Sequence, residues 1–189
     1  KKIPLRSGMG GGSMNASTIF KYFLKKNKNR LNHDQILEIS NKIGSDVILG
    51  MDKKNSILLG NGKLFRSKKK IKLYTLIIKP NFGCSTEKIY KNIKTFSKPA
   101  LNGNNMKKFG IKNLINLKND LEVVAFKNYP ILISIKRNMA NLPKTIFVRM
   151  TGSGSSIIGY FDSKKASLIA AKILKKKYKN YWCILSKTI

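Results

Sequence analysis

The spacing of apolar residues along the chain predicts both helices and strands. The clearest helix is predicted over residues 163–177, where apolar residues recur at i, i+3, i+4, i+7 and i+8. The residues of this stripe are Ala166, Ile169, Ala170, Ile173 and Leu174. Other helices are predicted over residues 13–26, 33–43, 86–96 and 119–140, the last interrupted at Pro130. Short apolar runs predict strands over residues 47–51, 56–59, 71–79, 145–150, 156–161 and 181–186.

The order of these elements indicates the fold class. From residue 71 onward it is β-α-β-β-α-β with an elaborated first crossover, which is the order of a ferredoxin-like unit. The stretch 97–113, rich in Asn, Gly and Lys, is predicted to be a loop. We therefore expect an α+β protein with a ferredoxin-like C-terminal domain.

The chain is strongly basic, since its 189 residues carry a net charge of +31. Lysine supplies nearly all of this charge and is scattered over every segment, whereas arginine, the residue that most often reads bases, is rare. This distribution favours a lysine-rich solvated surface over a nucleic-acid interface. The densest basic run, residues 63–72, keeps a basic nucleic-acid-binding module open as an alternative.

The cysteine and histidine content excludes several kinds of site. Cys84 and Cys183 lack CxxC spacing, so neither a zinc site nor a disulfide framework is indicated, which fits a reducing compartment. The single histidine, His33, stands at a predicted helix start with no nucleophile elbow near it, which argues against a Ser-His-Asp hydrolase.

A glycine-rich segment, Gly8-Met-Gly-Gly-Gly-Ser13, precedes the first predicted helix. Backbone N–H groups at a helix N-terminus bind phosphate, and glycine lets the ligand approach closely. Ser13 is predicted to be the N-cap, and its hydroxyl is a candidate ligand for a phosphate or for Mg²⁺. The spacing fits neither the Walker A loop nor the dinucleotide GxGxxG motif. A flexible turn without a ligand is the alternative.

One carboxylate is a candidate for chemistry. Asp46 follows Gly44-Ser45 and precedes the apolar run that begins at Val47. An acid that enters an apolar strand must be paired, bound to metal or used. A turn aspartate with satisfied hydrogen bonds is the alternative.

Five segments, taken in order, resemble motifs of the GHMP family of small-molecule kinases. They are the glycine segment within residues 3–17, Gly-Ser-Asp-Val at 44–47, the Pro…Ser-Thr…Tyr segment within 79–90, Asn-Asp-Leu-Glu at 119–122 and Met-Thr-Gly-Ser-Gly at 150–154. The resemblance departs from the family pattern at Arg6, Met14 and Ile48. It implies a GHMP kinase fold, with part of a ribosomal-S5-like N-terminal domain at 1–66 and the ferredoxin-like C-terminal domain at 67–189.

The resemblance also implies a site and an activity. ATP and Mg²⁺ are the implied cofactors, and Asp46 is the implied catalytic base. The implied nucleotide-binding residues are Gly8, Gly10, Gly11, Gly12 and Ser13. The implied substrate-binding residues are Thr86, Tyr90, Thr151, Gly152, Ser153 and Gly154. The Asn-Asp-Leu-Glu segment is expected to be structural.

The segment at 79–90 is most similar to the branch that phosphorylates the 2-hydroxyl of a cytidine diphosphate ester of methylerythritol in non-mevalonate isoprenoid synthesis. A homoserine or mevalonate type of GHMP kinase is the alternative. We expect a cytoplasmic monomer or homodimer with no nucleic-acid or membrane partner. The family's first strand, with its catalytic lysine, and the Tyr-His that follows have no counterpart here. We therefore expect a chain that lacks the front of a family member and is inactive alone.

Overall fold

The computed structural model describes residues 3–26, 30–60, 62–67, 70–101 and 109–188. The chain forms two compact units. The first, called here the N-terminal unit, is Gly10–Lys70. The second, the C-terminal unit, combines residues 3–9 with Ile71–Thr188. The expected division at residues 66 and 67 stays a prediction. Residues 3–9 precede the N-terminal unit in sequence but belong to the C-terminal unit.

The described part of the N-terminal unit contains two helices, a 3-10 helix and a hairpin. These elements are α1 (Gly11–Lys26), α2 (His33–Ile43), the 3-10 helix (Val47–Met51), β1 (Ser56–Leu58) and β2 (Leu64–Arg66). The hairpin is antiparallel, with Ser56 opposite Arg66. α2 has the predicted bounds, because Asn32 and Gln35 form a capping box at its start and the Gly44 N–H donates to the Ser40 carbonyl at its end.

Two predictions for this unit are wrong. α1 begins at Gly11, and the Met14 N–H donates to the Gly10 carbonyl, so Ser13 lies inside the first turn and is not the N-cap. The strand predicted at 47–51 is a 3-10 helix. Val47 and Ile48 are consecutive and both about 1% exposed, whereas successive side chains of a strand point to opposite faces.

The 3-10 helix packs closely on α1. Ser17 is buried on α1, and a Cβ added at Gly50 would lie 2.2 Å from its Oγ. Only glycine allows this approach of the two backbones. Arg66 reaches the same element, since its guanidinium donates to the Ile48 carbonyl and pairs with Asp52. One arginine of the basic run 63–72 thus acts within the fold, while residues 68 and 69 of that run lie outside the described residues.

The C-terminal unit is built on a four-stranded antiparallel sheet. Its strands are β3 (Tyr74–Lys79), β4 (Thr145–Met150), β5 (Ile157–Phe161) and β6 (Trp182–Lys187). Their spatial order is β4-β5-β3-β6. The first strand of the unit therefore lies between its third and fourth strands, which confirms the ferredoxin-like arrangement.

The described part of the C-terminal unit has five helices, and all except the second bury side chains in the core. They are α3 (Thr86–Lys91), α4 (Ile111–Asn116), α5 (Leu121–Asn128), α6 (Ile131–Ala140) and α7 (Lys164–Lys177). The core includes Leu76 and Ile78 of β3, Leu132 and Ile135 of α6, and Phe161 of β5, all fully buried.

Three sequence predictions need correction here. The helix predicted over 86–96 ends at Lys91, and α4 begins at Ile111, inside the stretch 97–113 that was predicted to be a loop. Residues 102–108 of that stretch lie outside the described residues. Ile169 and Ile173 of the predicted α7 stripe are 48% and 44% exposed, while Ser167 and Ala171 are buried. The small side chains of Ser167 and Ala171 let α7 approach the sheet closely. Ile169 and Ile173 lie at the border of this contact and stay partly exposed.

Candidate active site

The glycine segment links the two units. Gly8 belongs to the C-terminal unit, while Gly10, Gly11, Gly12 and Ser13 belong to the N-terminal unit. Gly8 and Gly10 have φ of +71° and +62°, a conformation that residues with a Cβ rarely adopt. α1 then begins at Gly11 with no acidic residue in its first turn. The positive end of its dipole is therefore not neutralised by its own side chains.

Gly12 lies inside a helix without a packing reason for glycine. A Cβ added there would meet no atom within 4 Å among the described parts of the chain. Glycine within a helix costs about 1 kcal/mol relative to alanine. Its presence at this position leaves space beside the first turn of α1, and that space suits a ligand that must approach the backbone.

Gly8 packs directly against the 151–155 loop, which connects β4 to β5 within the C-terminal unit. A Cβ at Gly8 would lie 2.2 Å from the Thr151 carbonyl oxygen, and a Cβ at Gly152 would lie 2.7 Å from the Gly8 oxygen. The Thr151 hydroxyl donates to the Gly8 carbonyl at 2.9 Å. The structure thus brings the start of the glycine segment and the 151–155 loop together, although they are far apart in sequence.

The same loop contacts the first residue of α3. The hydroxyls of Thr86 and Ser153 are hydrogen bonded at 2.9 Å. Ser85 caps α3, since its side chain accepts from the Lys88 N–H. Tyr90 lies one turn after Thr86 and is 55% exposed, so its ring is open to a ligand. Two candidate substrate segments therefore meet at Thr86 and Ser153.

Asn119 and Glu122 hold this loop, a role that the sequence analysis did not assign. The Asn119 amide donates to the carbonyls of Met150 and Gly152 at 2.9 and 2.8 Å. Its oxygen accepts from the Leu121 N–H. Glu122 accepts from the Met150 N–H at 2.7 Å and pairs with Lys136. Their positions in the Asn-Asp-Leu-Glu motif predict a structural role. The sequence alone does not show that the backbone they bind is that of residues 150–152.

Asp46 lies between α2 and the 3-10 helix and is exposed. Its carboxylate makes no cap hydrogen bond to the 3-10 helix that it precedes, and no ion pair of the described residues includes it. It borders a cavity of about 530 Å³ with Asn41 and Ser45. Asp46 was predicted to be functional because it would enter an apolar strand, and that argument is wrong because a 3-10 helix follows it. Its carboxylate is nevertheless accessible to solvent.

The acidic groups are too dispersed for an all-protein metal site. Within the described ranges, no three His, Cys, Asp or Glu side chains are close enough to hold an ion. Mg²⁺ often keeps several waters and binds through one or two protein oxygens together with substrate phosphates. The Ser13 hydroxyl, in the first turn of α1, fits that type of site.

Comparison with known proteins identifies the family. Residues 97–180 match the model for the C-terminal domain of GHMP kinases. The chain is 51% identical over 189 residues to the 4-diphosphocytidyl-2-C-methyl-D-erythritol kinase of Pelagibacter ubique (strain HTCC1062), covering 100% of this chain and 67% of that protein. The chain belongs to the GHMP kinase family. A second relative of the same name, from Clostridium botulinum (strain Langeland), is 32% identical over 187 residues, with 95% of this chain and 66% of that protein covered.

Solved structures of GHMP kinases share the fold. A crystal structure of 4-(cytidine 5'-diphospho)-2C-methyl-D-erythritol kinase matches with a TM-score of 0.74 at 21% identity, covering 98% of this chain and 68% of that one. Homoserine kinase from Cytophaga hutchinsonii matches with a TM-score of 0.73 at 15% identity, covering 100% of this chain and 68% of that one. The GHMP kinase fold expected from the motifs is thus confirmed.

The chain spans about two thirds of the length of these GHMP kinase relatives. No helix within the described parts of this chain has the length and apolar character that crossing a bilayer requires.

Proposed function

We propose that the protein that carries this chain transfers a phosphoryl group from ATP to the 2-hydroxyl of 4-diphosphocytidyl-2-C-methyl-D-erythritol, in non-mevalonate isoprenoid synthesis. The observation that carries the proposal is the hydrogen bond between Thr86 and Ser153. It joins, in one folded unit, the segment most similar to the cytidine-specific branch and the 151–155 loop. The 51% identity to a curated kinase of that name supports the same substrate.

The start of α1 is the proposed phosphate site. ATP supplies the phosphoryl group when it is bound, and Mg²⁺ compensates the phosphate charge. The free N–H groups of the first turn, from Gly11 to Ser13, would donate to phosphate oxygens, and the open space beside Gly12 admits them. Gly8 and Gly10 supply the turn that leads into the helix, and the Ser13 hydroxyl would bind a phosphate or the metal ion.

Asp46 is the proposed general base. Its exposed carboxylate would accept the proton of the substrate hydroxyl as that oxygen attacks phosphorus. Phosphoryl transfer depends mainly on positioning and on charge stabilisation, so one base with a phosphate cradle is a sufficient set. The nearby departure at Ile48 does not remove the carboxylate, since Ile48 is buried in the 3-10 helix that follows.

The C-terminal unit supplies the proposed substrate contacts. Tyr90 offers an exposed ring on which cytosine can stack. Thr86 and Ser153 share one hydrogen bond and retain hydroxyl lone pairs for a polar group of the ligand. Thr151, Gly152 and Gly154 complete the loop. We also propose a cytoplasmic location, which the two free thiols, Cys84 and Cys183, support.

The test uses the full-length protein that carries this chain. ADP release is measured with ATP and a panel of the cytidine substrate, homoserine and mevalonate, for the parent and for Asp46→Asn. We expect turnover only with the cytidine substrate and a fall in kcat of about 10²-fold or more in the variant, with nucleotide affinity kept. Turnover of homoserine or mevalonate instead would contradict the substrate assignment. Parent-level kcat in Asp46→Asn would contradict the role of the base.

A further inference from the structure

A buried lysine stands next to the turn that bonds to the 151–155 loop. Lys79 is the last residue of β3 and is only 6% exposed, although lysine is almost never buried unless it is paired. No described carboxylate forms an ion pair with it. Its ammonium instead donates to the carbonyls of Pro80 and Phe82, both at 2.9 Å. Burial lowers the pKa of Lys79 through desolvation, with the Cys84 sulfur opposing the shift.

The Phe82 carbonyl receives a second donor from the 151–155 loop. The Ser155 hydroxyl donates to this oxygen at 2.6 Å, and Ser155 is fully buried. One carbonyl therefore connects the end of β3 to the loop. Hydrogen bonds that involve a charged donor are stronger than neutral ones, so the ammonium of Lys79 is the stronger of these two attachments.

The turn that Lys79 holds also contacts Arg6, which precedes the glycine segment, and leads into α3. A Cβ added at Gly83 would lie 2.3 Å from the Cβ of Arg6, two residues before Gly8. A Cβ added at Gly154 would lie 3.0 Å from the Cys84 sulfur. The chain then reaches Ser85, the cap of α3, and Thr86, which bonds to Ser153. Residues 80–86 thus contact both Arg6, just before the glycine segment, and the 151–155 loop.

We propose that Lys79 is a positioning residue for substrate binding: its ammonium fixes the Phe82 carbonyl, which anchors Ser155 and so sets the distance between Thr86 and Ser153. The assignment rests on the proposed function for the ligand that this pair binds. A buried charge is costly unless hydrogen bonds compensate it. A role in holding the site explains why a lysine occupies this strand end although it pairs with no described acid.

The test compares Lys79→Met with Lys172→Met in the full-length protein. Methionine keeps an unbranched apolar chain and removes the donors and the charge. Lys172 is an exposed lysine of α7, so its variant controls for the loss of one positive charge. Amide hydrogen exchange reports on the backbone, and calorimetry measures the affinities for the cytidine substrate and for a non-hydrolysable ATP analogue.

For Lys79→Met we expect faster exchange within 80–86 and 151–156 but not within α7. The affinity for the cytidine substrate should fall about tenfold, and that for the ATP analogue should stay within about twofold. The Lys172→Met variant should match the parent in all three measurements. If Lys79→Met does not fold, Lys79→Gln, which keeps a polar head at the buried site, is expected to show the same pattern.

A variant with faster exchange but parent-level substrate affinity would reduce Lys79 to a structural role and overturn the proposal. Parent-level exchange in a folded Lys79→Met or Lys79→Gln protein would overturn it as well. A parent protein that binds no cytidine substrate would contradict the proposed function instead, and the exchange in 151–156 would then decide whether Lys79 holds the loop.

Discussion

Thr86 and Ser153 are 67 residues apart in sequence, and their hydroxyl oxygens lie 2.9 Å apart. Ser153 is buried, while Thr86 is exposed at the start of α3. The pair therefore connects an accessible helix start to the less accessible 151–155 loop. In the proposed site, a ligand bound to Thr86 would therefore meet the loop as well.

Two substitutions at Thr86 distinguish the effect of its hydroxyl from the effect of its side-chain shape. Thr86→Val removes the hydroxyl and leaves the buried Ser153 hydroxyl without this partner, whereas Thr86→Ser keeps it. We expect the affinity for the cytidine substrate to fall about tenfold in the valine variant and to change little in the serine variant, since a polar group of the ligand that loses its hydrogen-bond partner on binding costs about 1–3 kcal/mol. Calorimetry measures both, and equal affinities would show that the hydroxyl is not used.

Substitutions at Tyr90 test whether binding of the cytidine substrate needs an aromatic ring at this position. The side chain is 55% exposed, so Tyr90→Ala should alter the free energy of unfolding by only about 0.5 kcal/mol. Loss of base stacking, worth about 1–3 kcal/mol per base, should raise KM for the cytidine substrate about tenfold or more. Tyr90→Phe keeps the ring and should retain the parent KM. A similar rise in both variants would assign the effect to the phenolic hydroxyl instead.

An isosteric substitution at Asn119 tests whether its hydrogen bonds stabilise the 151–155 loop. Asn119→Asp keeps an oxygen for the Leu121 N–H but removes the amide that donates to Met150 and Gly152. We expect a loss of about 1–3 kcal/mol in the free energy of unfolding of the C-terminal unit, because two carbonyls then face a carboxylate. Chemical denaturation measures this loss. Asn119→Ala, which also removes the acceptor for the Leu121 N–H, is the comparison. An aspartate variant as stable as the parent would contradict the assigned hydrogen bonds.

The two thiols, Cys84 buried and Cys183 half-buried, give a pH-dependent signal of the fold. Burial raises the pKa of Cys84 to about 11 and also raises the pKa of Cys183. The thiolate is the reactive form, so alkylation of the native protein at pH 8 should be slow, and slowest at Cys84, which is 1% exposed. The unfolded thiol ionises near pH 9, below the folded one. The contribution of Cys84 to the free energy of unfolding should therefore be complete below pH 9 and decrease as the pH rises towards 11. Rapid labelling of native Cys84 at pH 8 would contradict its burial.

The sequence predicts the sheet of the C-terminal unit better than it predicts the site. Residues 145–150, 156–161 and 181–186 have local apolar patterns, and the observed strands lie within one residue of these bounds. The start of α1 was misplaced, because Ser13 has the chemistry of a cap and only the hydrogen bond from Met14 to Gly10 shows that the helix begins earlier. The bonds of Asn119 to the 151–155 loop and of Lys79 to the Phe82 carbonyl are tertiary contacts, which no local pattern encodes.

Gly12 provides the sharpest separation of ligand binding from folding. Its φ is not in the left-handed region, and a Cβ there would meet no described atom within 4 Å. Gly12→Ala should therefore raise the free energy of unfolding by about 0.5–1 kcal/mol, the usual gain within a helix. The added methyl group would occupy the space proposed for the phosphates, so ATP affinity should fall about tenfold or more.

Thr18→Ala is the matched control, because it also raises the helix propensity of α1 but lies on an exposed surface farther along the helix. Thermal unfolding measures stability and calorimetry measures ATP affinity. A Gly12→Ala protein that is more stable and binds ATP as the parent does would place the nucleotide elsewhere, whereas one that is less stable would show that glycine is required there by the fold itself.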